Sequence, residues 1–357
     1  MAIHKLVRLV GLAAGLLVVL GSCQREDISV ATRADDAFYV RSNGADMPVR
    51  VKGNTASQTF MLMIHGGPGG NGAFFELNRD AVRPLEEKMA VVYWDQRFAG
   101  SSQGNPSRAT VTAAQYGEDV RKVLLVLKAR YGADSKLFIL GESWGGFVAP
   151  AFMTAGNNQA LVKGWIHLVG GHNFRLQDSL TREMIREYAG VEIAKGKKVG
   201  QWEELVRKAN AVNFQQYNLD VSKTMSLLGE DATELTEEYQ NKVTVDGIVN
   251  VPSFFRRNDF SSIANLLSYV NPSRDDANTV AVRNEYSSKL HLVTVPVLIM
   301  NGKYDFLVPP KLGEDALRNL GSVHKKLLIF DKSSHDLIAQ EPRRFHQEVQ
   351  AFVEEFK

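Results

Sequence analysis

The sequence predicts an α/β protein, with a mainly parallel sheet covered on both faces by helices and interrupted by a mostly helical insertion. Short, almost continuous apolar runs recur along the chain, as in strands buried on both faces. Stretches of helical period separate them, and between residues 171 and 290 this alternation lapses before resuming. The chain has 357 residues. At about 150 residues per domain, that length fits one large domain carrying an insertion.

The body begins near residue 36. Phe38-Tyr39-Val40 and Val49-Arg50-Val51 read as an antiparallel pair turned at Asn43-Gly44. Phe60–Ile64 and Ala90–Trp94 are the first two buried strands. A helix follows, with Thr112 and Gln115 resembling a capping box. Tyr116, Val120, Val123, Leu124, Leu127 and Tyr131 continue it at helical spacing, and Gly132 stops it. Leu137–Leu140 and Trp165–Val169 are further strands. Residues 171 to 290 are richer in charge and in amphipathic helical stretches, with Trp202, Phe214, Tyr217, Phe254 and Phe255 spread among them. Pro296–Met300 is again a strand, Pro310–Leu320 a helix and Lys326–Phe330 a strand. A closing helix opens at Pro342 and carries Phe345, Val349, Phe352 and Phe356 on one face. The expected division is a core over residues 36–170 and 291–357, with a helical cap over 171–290.

The first residues form a separate unit. His4, Lys5 and Arg8 precede an apolar run from Leu9 to Leu20, too short for the ~20 residues that a membrane-spanning helix needs. A basic head and a short apolar stretch describe a removable secretory signal. Its end, Leu20-Gly21-Ser22-Cys23, resembles the bacterial lipobox. Residues 1–22 are therefore expected to be a lipoprotein signal and Cys23 the lipidation site. Residues 23–35 would be a polar tether, and the protein an exported lipoprotein held at a membrane in the periplasm or at the cell surface. Cys23 is the chain's only cysteine, so an intramolecular disulfide and a multi-thiolate metal site are both excluded. Lysine and arginine number 42 against 40 acids, a balance that argues against a nucleic-acid partner.

Chemistry concentrates at three strand ends. Gly141-Glu142-Ser143-Trp144-Gly145-Gly146 lies between the Leu137–Leu140 strand and an apolar helical run, the strand–turn–helix setting of a nucleophile elbow. A serine hydroxyl needs a base, and the base needs an acid to orient it. Asp305 follows the Pro296–Met300 strand and His335 follows Lys326–Phe330, so both stand at the edge where open α/β sheets place their sites. The order Ser143, Asp305, His335 is the one this elbow uses. Asp178, after the Trp165–Val169 strand, is the alternative acid. His167, His291, His324 and His346 read as surface or satisfied structural residues. The Trp144 N–H is one candidate oxyanion donor. The second should come from His65-Gly66-Gly67-Pro68-Gly69-Gly70, after the Phe60–Ile64 strand. That loop lacks the lysine of a P-loop and the spacing of a dinucleotide fingerprint, so no cofactor and no metal are expected.

With these motifs assembled, the chain resembles an α/β-hydrolase of the proline iminopeptidase-like group. The resemblance rests on His65-Gly66-Gly67-Pro68-Gly69, then Asp95-Gln96-Arg97 with Gly100 and Ser102, then Gly141-x-Ser143-Trp144-Gly145. It implies that Gly67 gives the second oxyanion amide, and that His65, Gly66, Asp95, Gln96 and Arg97 brace the site. Asp95 and Arg97 are expected to form a buried structural ion pair. The group's glycine after Asp-Gln-Arg is replaced by Phe98, its basic residue before the last serine by Ser101, and a glycine before the nucleophile by Glu142. Substrate choice in the group depends on acids of the cap that bind a free N-terminal amine, for which Glu203 and Glu204 are the candidates here. The resemblance implies a serine aminopeptidase releasing N-terminal residues, proline preferred, from short peptides. The alternatives are a carboxylesterase or other small-molecule hydrolase, and a non-catalytic binding protein on the same scaffold.

Overall fold

The computed structural model describes residues 34–243 and 273–357. Strands β1 (Ala34–Ser42) and β2 (Ala45–Gly53) form an antiparallel hairpin closed by Asn43-Gly44, both at positive φ as a type I′ turn requires. Ala34 and Asp35, expected in the tether, thus already belong to a strand. The remainder of the expected signal and tether, with Cys23, lies outside the described residues.

Strand β3 (Thr59–Ile64) leads through the short helices α1 (Ala73–Leu77) and α2 (Arg79–Lys88) to β4 (Ala90–Trp94). After the two-residue β5 (Gln103–Gly104) come α3 (Ala113–Tyr131), β6 (Lys136–Glu142), α4 (Gly145–Met153) and β7 (Gly164–Leu168). Helices α5 (Phe174–Ala194), α6 (Val199–Ala211), α7 (Leu219–Leu235) and α8 (Ser273–Arg283) follow. Strand β8 (Val297–Gly302), α9 (Pro310–Asn319), β9 (Lys325–Phe330), α10 (Leu337–Gln340) and α11 (Pro342–Phe356) complete the fold.

The nine strands of the described residues share one sheet, in the order β1-β2-β4-β3-β6-β7-β8-β9, with β5 paired to β2. From β4 to β9 every neighbour along this order is parallel, and β2 runs against both its neighbours. The continuous apolar runs are explained by burial on both faces. Phe60, Leu62 and Ile64 pack with Val120, Leu124 and Leu127 of α3 on one side. Met61 and Met63 pack with Leu85 of α2 and with Phe345, Val349 and Phe352 of α11 on the other. Each such side chain, fully buried, contributes about 1.5–3 kcal/mol.

The cap of α3 is half of the expected box. Thr112 Oγ1 accepts the Gln115 N–H at 3.1 Å. The Gln115 side chain does not return to Thr112 but bonds Asn43, Ser42 and Asp119. Helices α5, α6 and α7 bury a cluster of their own, including Met184, Trp202, Leu205 and Met225, into which Phe306 inserts from the loop after β8. That insertion ties the helices to the residue next to Asp305. Phe254 and Phe255 lie outside the described residues.

Candidate active site

The elbow closes because its glycines admit backbone where a Cβ would not fit. A Cβ on Gly145 would collide with the Ile64 carbonyl, and one on Gly141 with the Gly145 carbonyl. Ser143 is left at φ +52°, a left-handed conformation uncommon for a side-chain-bearing residue. Its N–H donates to the Leu168 carbonyl at 3.1 Å, and its own carbonyl accepts the Gly171 N–H at 3.0 Å. Both bonds hold the strained turn against the end of β7.

The three expected side chains meet. His335 Nε2 lies 3.0 Å from Ser143 Oγ, and His335 Nδ1 lies 2.9 Å from Asp305 Oδ2. Asp305 is fully buried, and its Oδ1 accepts the N–H groups of Leu307 and Val308 at 3.0 and 2.8 Å. The carboxylate is thereby fixed in place and keeps the imidazole oriented. Burial works against the charged form of His335, but the carboxylates of Asp305, Glu142 and Asp336 outweigh it and raise the ring to about 9. Asp178 is not part of this chain. It is buried on α5, where Tyr217 donates to it at 2.7 Å, and burial raises it to about 7.

The glycine loop and the Asp95–Arg97 segment brace the elbow. Gly67 takes φ +121°, and a Cβ there would crowd the Gly69 and Gly70 amides. Gly67 and Trp144 border the same cavity as Ser143. Burial lowers His65 to about 4, so its ring is neutral. It contacts the Gly66 carbonyl at 2.8 Å and accepts the Gln96 N–H at 3.1 Å. Gln96 in turn donates to the His65 carbonyl and accepts the Trp144 indole N–H at 3.0 Å. One side chain thus links the glycine loop to the residue after the nucleophile.

The expected Asp95–Arg97 pair does not form. Arg97 reaches α3 instead, with a bidentate, fully buried pair to Asp119 at 2.5 and 2.7 Å. Asp95 accepts the N–H groups of Gly72 and Ser101, both at 2.7 Å, and so clamps the far end of the glycine loop. A Cβ on Gly100 would strike its carboxylate. Phe98, where the resemblance expects glycine, takes φ +59°, which explains why glycine suits that position.

A cavity of about 830 Å³ opens above Ser143. Phe74, Phe174, Leu219 and Leu227 give it apolar walls, while Glu142, Glu230, Asp275 and Asp336 are its acids. Asp275 is paired with Lys223 at 2.8 Å. Glu203 and Glu204 are not among the lining residues. They sit on α6, where the Glu204 carboxylate is taken by Arg207. Among the lining residues that the sequence did not mark as functional, two bear on the chemistry. Glu142 registers there only as a departure from glycine, and Gln177 carries a buried Oε1 without a hydrogen-bond partner.

Fold and site together define a serine-hydrolase-type α/β hydrolase. The chain belongs to the alpha/beta hydrolase fold family, whose model matches residues 59–342. A Bacillus subtilis protein named Probable aminopeptidase YbaC is 24% identical over 299 residues, 83% of this chain and 89% of the relative. Proline iminopeptidase of Saccharolobus solfataricus is 24% identical over 321 residues, 86% and 87% of the two chains. Among solved structures, an esterase from Exiguobacterium antarcticum superposes with a TM-score of 0.55 at 18% identity, covering 89% of this chain and 98% of its own.

Proposed function

We propose that the protein is a serine aminopeptidase that releases N-terminal residues, proline preferred, from short peptides. The observation that carries serine chemistry is the unbroken hydrogen-bonded chain from Ser143 through His335 to Asp305 at the floor of the cavity. The peptidase assignment is supported by relatives named aminopeptidase and proline iminopeptidase along most of the chain. In this reading Ser143 Oγ attacks the scissile carbonyl while His335 takes its proton, and Asp305 holds the imidazole tautomer. The N–H groups of Gly67 and Trp144 receive the oxyanion. His335 returns the proton to the leaving amine, and a water activated by the same imidazole then hydrolyses the acyl-enzyme. Helices α5, α7 and α8 act as the cap that shapes the cavity. A carboxylesterase is the second reading, favoured by the apolar walls of Phe74, Phe174, Leu219 and Leu227.

The deciding assay sets prolyl-arylamide, N-blocked prolyl-arylamide and short-chain aryl esters side by side. The free amide is expected to turn over and the blocked one not, with Ser143→Ala lowering kcat by about 10⁶. Ester turnover alone would replace the peptidase by the esterase. Labelling by a fluorophosphonate is expected at Ser143, and its absence together with inactivity on every substrate would favour a binding protein.

The reading extends to location. Lys5, Arg8, the Leu9–Leu20 run and Cys23 support export as a lipoprotein, with the mature chain tethered at Cys23 to a membrane. Cells fed a fatty-acid analogue should label the wild-type protein and leave Cys23→Ala unlabelled. Equal labelling of the two would remove the anchor.

A further inference from the structure

The residue before the nucleophile is a buried acid, and among the described residues the imidazole of the site is the cation that most favours its charge. Glu142 ends β6, is 8% exposed and borders the cavity. Its Oε2 packs on Gly66 so closely that a Cβ at Gly66 would overlap it, and would also approach Ser143 Cβ to 2.9 Å. The Gly66 backbone, packed against this carboxylate, favours its charged form. The charged groups that act on it are His335, Asp336 and Asp305, and no lysine or arginine is among them. Burying a carboxylate without such a partner costs several kcal/mol, so this position spends stability on something other than packing.

We propose that Glu142 is a positioning residue: it packs the elbow against the glycine loop at Gly66, and its charge stabilises the imidazolium that His335 forms when Ser143 attacks. The inference rests on the Ser143–His335–Asp305 reading and adds a second carboxylate to it. The first role follows from chain order. Gly66 immediately precedes Gly67, so holding Gly66 in place holds the backbone that presents the next N–H to the oxyanion. The second follows from charge. A carboxylate facing His335 opposes the positive charge that appears on the ring in the transition state, and so acts where differential stabilisation counts.

The ionisation of the site agrees with this arrangement. Burial pushes Glu142 up to about 7, so it is half ionised near neutral pH and its charge grows as the pH rises further. His335 is raised in part by that charge. A neutral side chain at position 142 therefore lowers the imidazole pKa. Because the base must be unprotonated, the acid limb of kcat/KM then moves to lower pH.

The test compares full-length wild type with Glu142→Gln, Glu142→Asp and Glu142→Ala on one substrate across pH, with kcat and KM resolved and folding checked by circular dichroism. Gln keeps an acceptor and loses the charge. Its acid limb is expected to shift down by about one pH unit, and its plateau kcat to fall about tenfold with KM within about twofold. Asp keeps the charge but retracts from Gly66, so its acid limb should stay with wild type while kcat falls. Ala loses both roles and is expected to lose about 10²-fold in kcat, in the range of an oxyanion-hole defect. Wild-type kcat and pH profile in Gln and Ala would overturn the proposal, as would a rise in KM alone, which would make Glu142 a substrate contact. Fluorophosphonate labelling of the wild type separates the two levels. If Ser143 is not labelled, the nucleophile reading falls and takes this one with it. If it is labelled and the variants are unchanged, only the role of Glu142 falls.

Discussion

Two histidine–aspartate pairs stand near the carboxyl edge of the same sheet, and their hydrogen bonds are nearly identical. His335 meets Asp305 at 2.9 Å, and His172 meets Asp315 at 3.0 Å. What differs is the third partner and the access. The far nitrogen of His335 faces Ser143 Oγ at 3.0 Å on the floor of an open cavity, and the ring is 19% exposed. The far nitrogen of His172 faces the ring of His167 at 3.4 Å, and His172 is wholly buried. The acids differ too. Asp305 commits its second oxygen to two backbone amides, whereas Asp315 also takes the Ser287 hydroxyl and the Asn319 amide, with Arg318 near. A histidine–aspartate bond is thus no signature of a base. The first pair orients a ring toward a nucleophile, and the second joins β7, α9 and the segment around Ser287 into one framework.

The largest expected effect separates the pairs directly. Asp305→Asn should lower kcat by about 10⁴ while leaving the fold intact, because the amide stabilises the wrong imidazole tautomer and no imidazolium. Asp315→Asn should keep kcat within about twofold and cost about 1–3 kcal/mol of stability, as bonds from His172, Ser287 and Asn319 are weakened or left unpaired. Steady-state kinetics and denaturant melts on the two variants check this. A loss of kcat in Asp315→Asn comparable to that in Asp305→Asn would erase the distinction.

How much of this was legible in the sequence follows the same division. The elbow, the glycine loop, Asp305 and His335 could be placed because each sits one turn beyond a strand, and the strand register fixes what reaches the sheet edge. Asp305 was placed ahead of Asp178 from the sequence, and the fold agrees: His335 meets Asp305 at 2.9 Å, while Asp178 is engaged by Tyr217. Arg97 could not be matched to Asp119 because that contact crosses from a loop to a helix 22 residues away. The helices between β7 and β8 were legible as helices and opaque as surfaces. Helical period marks a buried face but not what the other face meets, so Glu203 and Glu204 looked available although Arg207, one turn on, takes Glu204. Glu142 was visible only as an exception to a pattern. His172 was overlooked although it follows Gly170-Gly171 at the end of the Trp165–Val169 strand, because its partner Asp315 lies on a helix 143 residues away, and His167 and His346 keep an unpaired buried Nδ1 where satisfied residues were expected.

The smallest effect tests His167, the ring that the buried pair faces, through proton linkage. Burial, with His172 beside it, holds His167 well below the ordinary imidazole range, so the native ring stays neutral. In the unfolded chain the ring protonates below about pH 6.5. Below that pH the unfolded state therefore binds more protons than the native one, and stability falls as the solution is acidified, by about 1.4 kcal/mol per pH unit for one such group. His65, lowered to about 4, acts in the same direction, whereas Asp95, Asp178 and Glu142, raised to about 7, act in the opposite one. The total slope is accordingly a balance, and the informative quantity is the difference between wild type and His167→Gln. Denaturant melts at pH 5 and pH 7.5 should show the variant losing less stability on acidification than the wild type, by about 2 kcal/mol if His167 alone is removed from the balance. Kinetics at pH 7.5 should be nearly unchanged, because His167 reaches the cavity only through the backbone of Gly146 and Gly170, against which its ring packs. An unchanged acid slope would mean that His167 takes up a proton in the native state as readily as in the unfolded chain.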